Sequence, residues 1–122
     1  IALRKVIIGE TKLYFSKQNE EKMSAAVKAV ETVDSCIGKI LDNISLDEYT
    51  MIITADHGCD PTFKGFDHTR ENVPVIIYGR NLREPKRLDI LDSMADIGAT
   101  IADNFEITSP LFIGKSFLEK LK

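Results

Sequence analysis

The stretch YTMIITADHGCDPT, residues 49–62, decides the fold, because an apolar run passes directly into a polar turn that contains glycine and proline. Tyr49 to Thr54 form an apolar run without strict alternation, which is typical of a strand covered on both faces. Ligands of α/β sheets bind at the carboxyl ends of the strands. The sequence therefore predicts a functional site in residues 55–72, directly after this strand.

The flanking segments predict two more strands and a long helix. Lys5 to Ile8, closed by Gly9, and Val73 to Tyr78, closed by Gly79, are predicted strands, and the second is expected to be buried. A helix is predicted from Asn19 to about Leu41. Its apolar face is predicted to comprise Ala26, Val30, Val33, Ile37, Ile40 and Leu41.

A second helix is predicted from Ser93, which forms a capping-box pattern with Asp96, to about Asn104. The buried side of this helix and the end of the core are predicted to comprise Ile97, Ile101, Phe105, Phe112, Ile113, Phe117 and Leu118. The order strand–helix–strand–loop–strand–helix indicates an α/β fold, with a mostly parallel sheet and flanking helices. Residues 1–122 are expected to form a single domain.

Composition excludes several classes of protein. A net charge of −3 argues against a general nucleic-acid binder, and no apolar run is long enough to span a membrane. The two cysteines, Cys36 and Cys59, are too few for a disulfide scaffold, so a cytoplasmic location is expected. The chain begins with Ile1 rather than Met, and three explanations stay open: an expressed segment, a processed product or a piece of a longer protein.

Both histidines of the chain, His57 and His68, lie in residues 54–70 together with three aspartates. Asp56 and His57 directly follow the strand, and a carboxylate beside an imidazole suits Mn²⁺, Zn²⁺ or Fe²⁺. The alternative is an Asp–His pair that only stabilises a turn. Arg70 either binds phosphate or pairs with a neighbouring carboxylate, Asp67 or Glu71.

The cysteines are expected to have structural roles. Cys59 follows Gly58 and is either a thiolate ligand beside His57 or a small packed side chain, and packing is the preferred interpretation. Cys36 lies within the predicted long helix, where ordinary helix packing is expected.

Three stretches, TADHGCDPT (residues 54–62), DHTRE (67–71) and ADIGATIA (95–102), resemble the C-terminal core of phosphopentomutase. The resemblance runs from about residue 50 to the end of the chain, and the wider group is the alkaline phosphatase superfamily. Residues 25–34 are also similar to a helix of cofactor-independent phosphoglycerate mutase. The resemblance implies a partial alkaline-phosphatase-like core within residues 1–122.

The resemblance further implies a site with two Mn²⁺ ions that transfers phosphate through a phosphothreonine. Asp56 and His57 match the ligands of one ion, and His68 matches a ligand of the other. The implied reaction interconverts ribose or deoxyribose 1-phosphate and the 5-phosphate, so a pentose phosphate is the expected substrate. Two metals would clamp the nucleophile and the phosphoryl oxygens while charge develops.

The chain departs from the family pattern in ways that reduce the expected activity. The nucleophilic threonine and the first aspartate have no counterpart here, and residues 13–21 lack the Asp and His that the family places before the long helix. Glu20 or Glu21 is a possible substitute ligand, and Phe66 replaces a small polar residue. We expect weak or single-ion binding and no turnover by this chain alone.

Two other functions stay open from the sequence. One is a non-catalytic relic or binding module of the superfamily, and the other is a phosphoglycerate mutase-like enzyme fragment. A truncated sheet should leave an apolar face or an edge uncovered, so a homo-oligomer is also expected. No membrane or nucleic-acid partner is expected.

Overall fold

A computed structural model describes residues 5–9, 19–65, 67–80, 82, 85, 87–111 and 113–121, with the backbone alone for residues 5–9 and 19–22. The described elements have an α/β arrangement, with three strands in a sheet of order β1-β2-β3. The elements are β1 (Lys5–Gly9), α1 (Asn19–Leu41), β2 (Tyr49–Thr54), β3 (Val75–Tyr78), α2 (Ala95–Asn104) and a 3₁₀ turn (Leu118–Lys120).

The described residues fall into two compact units. One contains most of β2, the end of β3, α2 and the 3₁₀ turn; the other contains α1 and the segment Ile53–Ile76. None of the described helices combines the length and the apolar character that a membrane span requires.

Strand β2 has the predicted bounds and lies in the centre of the sheet. Its consecutive residues Thr50, Met51 and Ile52 are all buried, so side chains on both faces of the strand are covered. The sequence prediction of a strand buried on both faces is therefore confirmed for the middle of β2. Thr54, at its carboxyl end, is half-buried and leads into the segment with the two histidines.

Strand β3 is shorter than predicted, and the prediction that it is buried is wrong. It lies at an edge of the sheet and spans four residues, in which half-buried Val75 and Ile77 alternate with exposed Ile76 and Tyr78. An apolar run such as VIIY has the same sequence whether one face or both faces are covered. The sequence does not reveal which faces of a strand other elements cover, and in β3 one face, with Ile76 and Tyr78, stays open.

Helix α1 has the predicted bounds, but its predicted apolar face is only partly covered. Ala26, Val33, Ile37 and Leu41 are half-buried. Val30 is 63% exposed, Ile40 is exposed, and so are Met23 and Val27. The prediction was wrong for Val30 and Ile40, because periodicity shows which face a helix could bury and not whether a partner surface is present. The expected self-association stays a prediction.

Helix α2 begins with the predicted capping box. The Ala95 N–H donates to Ser93 Oγ (3.1 Å), and the Ser93 N–H donates to Asp96 Oδ2 (3.3 Å). The helix ends after Asn104, where Glu106 adopts a positive φ of 56°. The Ile107 N–H then donates to the carbonyl of Ala102, a Schellman-type end that satisfies a terminal carbonyl of the helix.

The C-terminal segment is bound to α2 by buried hydrogen bonds. Asp96 Oδ1 accepts the Lys115 N–H (2.8 Å), and Thr100 Oγ1 accepts the Phe117 N–H (3.0 Å) while donating to the Asp96 carbonyl (2.7 Å). The bond from Phe117 is buried and the bond from Lys115 is part-buried, so loss of the Thr100 hydroxyl would leave a buried N–H without its acceptor. This set of contacts fixes the end of the chain against α2.

The predicted core at the C-terminus is correct in part. Ile97, Phe117 and Leu118 are buried as predicted, and Ile101 is half-buried. Phe105 and Ile113 are exposed, so their predicted burial was wrong, and Phe112 lies outside the described residues. The buried side of α2 instead includes Ala99, Thr100 and Ala102, because the C-terminal segment crosses α2 at the Asp96–Thr100 turn.

Candidate metal centre

The candidate site lies in the segment that follows β2. Gly58 forms an isolated antiparallel bridge with Thr69, in which the Thr69 N–H donates to the Gly58 carbonyl (3.2 Å). The bridge brings the segment that contains Asp56 and His57 beside the segment that contains His68. The loop between residues 58 and 69 therefore folds back beside its own beginning, within this unit of the fold.

The ring of His57 is oriented by its own backbone neighbour. His57 Nδ1 is 2.8 Å from the Gly58 carbonyl oxygen, and because a carbonyl can only accept, Nδ1 must carry the hydrogen. In the neutral ring, Nε2 then presents a lone pair, and it lies 3.5 Å from Asp56 Oδ1. A proton on Nε2 makes this contact a His–Asp ion pair that stabilises the turn, and in the neutral ring the two acceptor atoms are of the types that bind a divalent metal ion.

The two histidine rings are stacked. Their centroids are 3.6 Å apart and the ring planes differ by 6°. The lone pair of an imidazole nitrogen lies in the plane of its ring, so two parallel, stacked rings direct their lone pairs into separate planes. In this arrangement the rings of His57 and His68 are not placed to share one ion.

The number of converging ligands is small. Among the residues that the structure describes, no group of three or more His, Cys, Asp or Glu side chains is placed to hold a metal ion. The structure thus brings Asp56, His57 and His68 into one region, and it provides a two-residue donor pair beside a separate imidazole. Glu20 and Glu21, the possible substitute ligands, have side chains outside the described residues, and so does Phe66.

A turn supported by Asp60 lies next to the histidines. Asp60 Oδ1 accepts hydrogen bonds from the Thr62 hydroxyl (2.7 Å) and the Thr62 N–H (2.8 Å). These bonds hold the pKa of the Asp60 carboxyl below its usual value, the hydroxyl contributing most. The Asp60 N–H donates to Thr69 Oγ1 (2.7 Å), which adds a second bond between the two segments.

Gly58 and Thr69 were not identified by the sequence analysis as residues that connect the site. Gly58 was interpreted only as a turn residue, although a glycine beside a candidate ligand can also mark a close approach of two backbones. A Cβ atom at Gly58 would overlap the Glu71 carboxylate and lie 2.8 Å from both Glu71 N and the Thr69 carbonyl oxygen. No spacing in the sequence indicates the role of Thr69.

Arg70 and Cys59 differ from their expected surroundings. Arg70 is exposed, and no ion pair found in the described part of the chain joins it to Asp67 or Glu71. Its phosphate-binding role stays a prediction. Cys59 and Cys36 are both free and exposed, so the interpretation that they are packed side chains is wrong.

Comparison with known proteins identifies the class to which this site belongs. The sequence profile of the metalloenzyme superfamily matches residues 19–109, most of the chain, and the chain belongs to this superfamily. The match includes α1, β2, β3 and all three candidate ligands.

Curated relatives are phosphopentomutases, and the chain is similar to a part of each, as the predicted resemblance to this family requires. It is 54% identical to the phosphopentomutase of Clostridium botulinum (strain Alaska E43 / Type E3) over 93 residues, which cover 75% of this chain and 23% of the relative. For the phosphopentomutase of Clostridium beijerinckii the identity is 50% over 93 residues, with 75% and 23% covered. For that of Clostridium novyi it is 46% over 94 residues, with 77% and 24% covered. The chain therefore spans about a quarter of the length of these relatives.

Proposed function

We propose that this chain is the C-terminal part of a phosphopentomutase-like enzyme that interconverts ribose or deoxyribose 1-phosphate and the corresponding 5-phosphate. The observation that carries the proposal is that the stretch similar to phosphopentomutases contains Asp56, His57 and His68, which the fold brings together. A phosphoglycerate mutase-like fragment is a weaker alternative, because the curated relatives are phosphopentomutases at 46–54% identity.

The donor set supports a role for divalent metal, for which we propose Mn²⁺. Asp56 Oδ1 and His57 Nε2 would hold one ion, and His68 would contribute to a second. When bound, the two ions would stabilise the charge that develops on the phosphoryl oxygens during in-line transfer. His57 Nδ1, bonded to the Gly58 carbonyl, keeps the ring in the tautomer that a metal ligand needs.

The other side chains of the site have simpler proposed roles. Arg70 is an exposed guanidinium two residues from His68, and we propose that its planar fork binds the phosphate of the substrate. The nucleophilic threonine of the proposed phosphothreonine mechanism is not among these residues. We therefore propose that residues 1–122 alone do not turn over substrate and that they bind metal weakly or bind a single ion.

The fold supports the proposal of a partial alkaline-phosphatase-like core domain with a mostly parallel sheet. Strands β1 and β2 are hydrogen-bonded neighbours, and the 23-residue helix α1 lies between them in the chain. Parallel neighbours require a crossover connection of this kind, whereas antiparallel neighbours can be joined by a short turn. Two free cysteines suit a reducing compartment, and we propose a cytoplasmic protein that functions in pentose phosphate and nucleotide metabolism.

The enzymatic proposal is tested on the product of the complete gene that encodes residues 1–122. We expect this product, with Mn²⁺, to convert ribose 1-phosphate to ribose 5-phosphate, and the isolated chain to show no conversion. His57→Ala should lower kcat/KM of the gene product by about 100-fold or more, because a metal ligand contributes several kcal/mol to the transition state. Turnover of phosphoglycerate but not of pentose phosphate would contradict the proposal.

Weak binding of metal by residues 1–122 gives a separate test of the proposed ligands. In isothermal titration calorimetry with MnCl₂ we expect at most one ion per chain, and Asp56→Asn should weaken binding about tenfold or more by removing the charged donor. Asp89→Asn is the matched control, because Asp89 is an exposed carboxylate paired with Lys120 on the other unit. Equal affinities for both variants would rule out Asp56 as a ligand.

A further inference from the structure

One carbonyl oxygen links the ring of His57 to the backbone beside His68. The Gly58 oxygen is 2.8 Å from His57 Nδ1 and 3.2 Å from the Thr69 N, so it accepts from a ring and from the opposite segment at the same time. The orientation of the His57 ring therefore depends on the same atom that positions the residue after His68.

The Thr69 side chain adds a second connection between the segments. Its hydroxyl oxygen accepts the Asp60 N–H at 2.7 Å, while its own N–H donates to Gly58. Thr69 thus bonds to both sides of Cys59, once through its backbone and once through its side chain. Its side chain is half-buried, which protects the short bond to Asp60 from exchange with water.

His68 has little else to hold it in the stack. In the described part of the chain, its ring makes no hydrogen bond or ion pair, and its recorded contact is the stack on His57 at 3.6 Å. The position of the His68 ring is consequently set by the backbone that carries it, which Thr69 fixes against Gly58 and Asp60. Stacking alone contributes too little to hold an exposed ring in one position.

We propose that Thr69 is a positioning residue, whose hydroxyl holds the His57 and His68 segments together so that the two imidazoles present their nitrogens to separate divalent ions. The part of this inference that concerns metal binding rests on the proposed function. The arrangement of the two rings does not, because it is present in the metal-free chain. The hydroxyl acts as an acceptor, so serine retains the function of threonine and valine, which has nearly the same shape, removes it.

The primary test uses the metal-free chain and NMR of the histidine rings at one fixed pH. Stacked rings shift each other's Cε1–H and Cδ2–H signals upfield, and we expect this displacement in the wild type and in Thr69→Ser. Thr69→Val and Thr69→Ala both remove the hydroxyl oxygen that accepts the Asp60 N–H. We expect either substitution to move the signals of both rings toward the values of an exposed histidine. Thr62→Val is the matched control, because among the described residues the Thr62 hydroxyl bonds the Asp60 side chain and no atom of the His68 segment.

The second readout is the affinity for Mn²⁺, measured by calorimetry on the same variants. We expect Thr69→Val to weaken binding about 10–100-fold and Thr69→Ser to restore it to within a few-fold of wild type. Circular dichroism verifies that Thr69→Val and Thr69→Ala are folded. If these folded variants keep the wild-type ring signals, the positioning role is overturned at any Mn²⁺ affinity. A third outcome is that the Thr69 variants have altered ring signals while the wild-type chain binds no Mn²⁺. It would support the positioning of the rings and contradict the proposed metal function.

Discussion

Gly114→Ala is expected to destabilise the chain by about 3–5 kcal/mol, a cost that is exceptional for a single substitution. A Cβ atom at this position would overlap the carbonyl group of Ala95 and lie 2.7 Å from Asp96 N. All of these are backbone atoms in the first turn of α2, so no side-chain rotation relieves the overlap. The C-terminal segment would have to move away from the helix.

The expected destabilisation by Gly114→Ala has two sources, the packing of the C-terminal segment on α2 and the hydrogen bonds between them. Overpacking costs about 1–3 kcal/mol, and a buried N–H left without its acceptor costs about 1–3 kcal/mol more. The Lys115 N–H bonds Asp96 Oδ1, and the Phe117 N–H bonds Thr100 Oγ1. Displacement would also expose Phe117, which is buried in the native chain.

Urea unfolding followed by circular dichroism measures this effect. Gly98→Ala is the matched control, because Gly98 lies within α2 and a Cβ there meets nothing within 4 Å. Alanine is the better helix former, so this variant should be about 0.5–1 kcal/mol more stable than wild type. A Gly114→Ala midpoint equal to that of wild type would show that the segment does not pack closely on α2.

Gly58→Ala is expected to open the candidate metal centre. The new Cβ would overlap the Glu71 carboxylate, which can rotate away, but it would also lie 2.8 Å from Glu71 N and from the Thr69 carbonyl oxygen, which cannot. The bridge between Gly58 and Thr69 would therefore lengthen or break. We expect a loss of about 1–3 kcal/mol in the free energy of unfolding and a Mn²⁺ affinity about 10–100-fold lower.

The affected quantities are measured by urea unfolding, histidine NMR and calorimetry with MnCl₂. Gly65→Ala, in the same loop, is the control: a Cβ there lies 2.7 Å from Phe63 Cε1, the far end of a side chain that can turn away. Gly65→Ala should keep the stacked-ring signals and the metal affinity. If Gly58→Ala also keeps them, the close approach at Gly58 is not needed for the arrangement of the histidines.

Neither Gly58 nor Gly114 is needed to allow a backbone angle that other residues avoid. No glycine among the described residues has a positive φ, so the requirement at Gly58 and Gly114 is space for an adjacent backbone. The need for space depends on whether another segment of the chain passes close to the glycine. The sequence alone does not distinguish a glycine needed for a turn from one needed for such a close approach. From the sequence, Gly58 is therefore interpreted only as part of a turn, and Gly114 has no predicted role.

Periodicity predicted the elements well where a single segment decides them. The bounds of α1 and β2 were correct, and β1 and α2 differed from prediction by one or two residues at an end. Helical spacing, capping and β-branched runs are local properties of the backbone and its nearest neighbours. The capping box of Ser93 and Asp96 formed as predicted for the same reason.

Burial was less predictable, because it depends on other segments. Val30 and Ile76 continue apolar patterns and are nonetheless more than half exposed, and Ile113 is 90% exposed. Conversely, the polar Thr100 is 1% exposed, since its hydroxyl is satisfied by the Asp96 carbonyl and the Phe117 N–H. A polar group of this kind can be buried because it has hydrogen-bond partners, and these can lie far away in the sequence.

The sequence by itself determined the superfamily, the order of the strands and helices along the chain, and the residues that carry the candidate chemistry, Asp56, His57 and His68. Only the tertiary structure decided that the two imidazoles stack instead of converging and that Gly58 and Thr69 hold their segments together. The physical reason is that residue types and their spacing specify local conformation and donor chemistry. The direction of a lone pair depends on hydrogen bonds between segments about ten residues apart, which form only when the chain has folded.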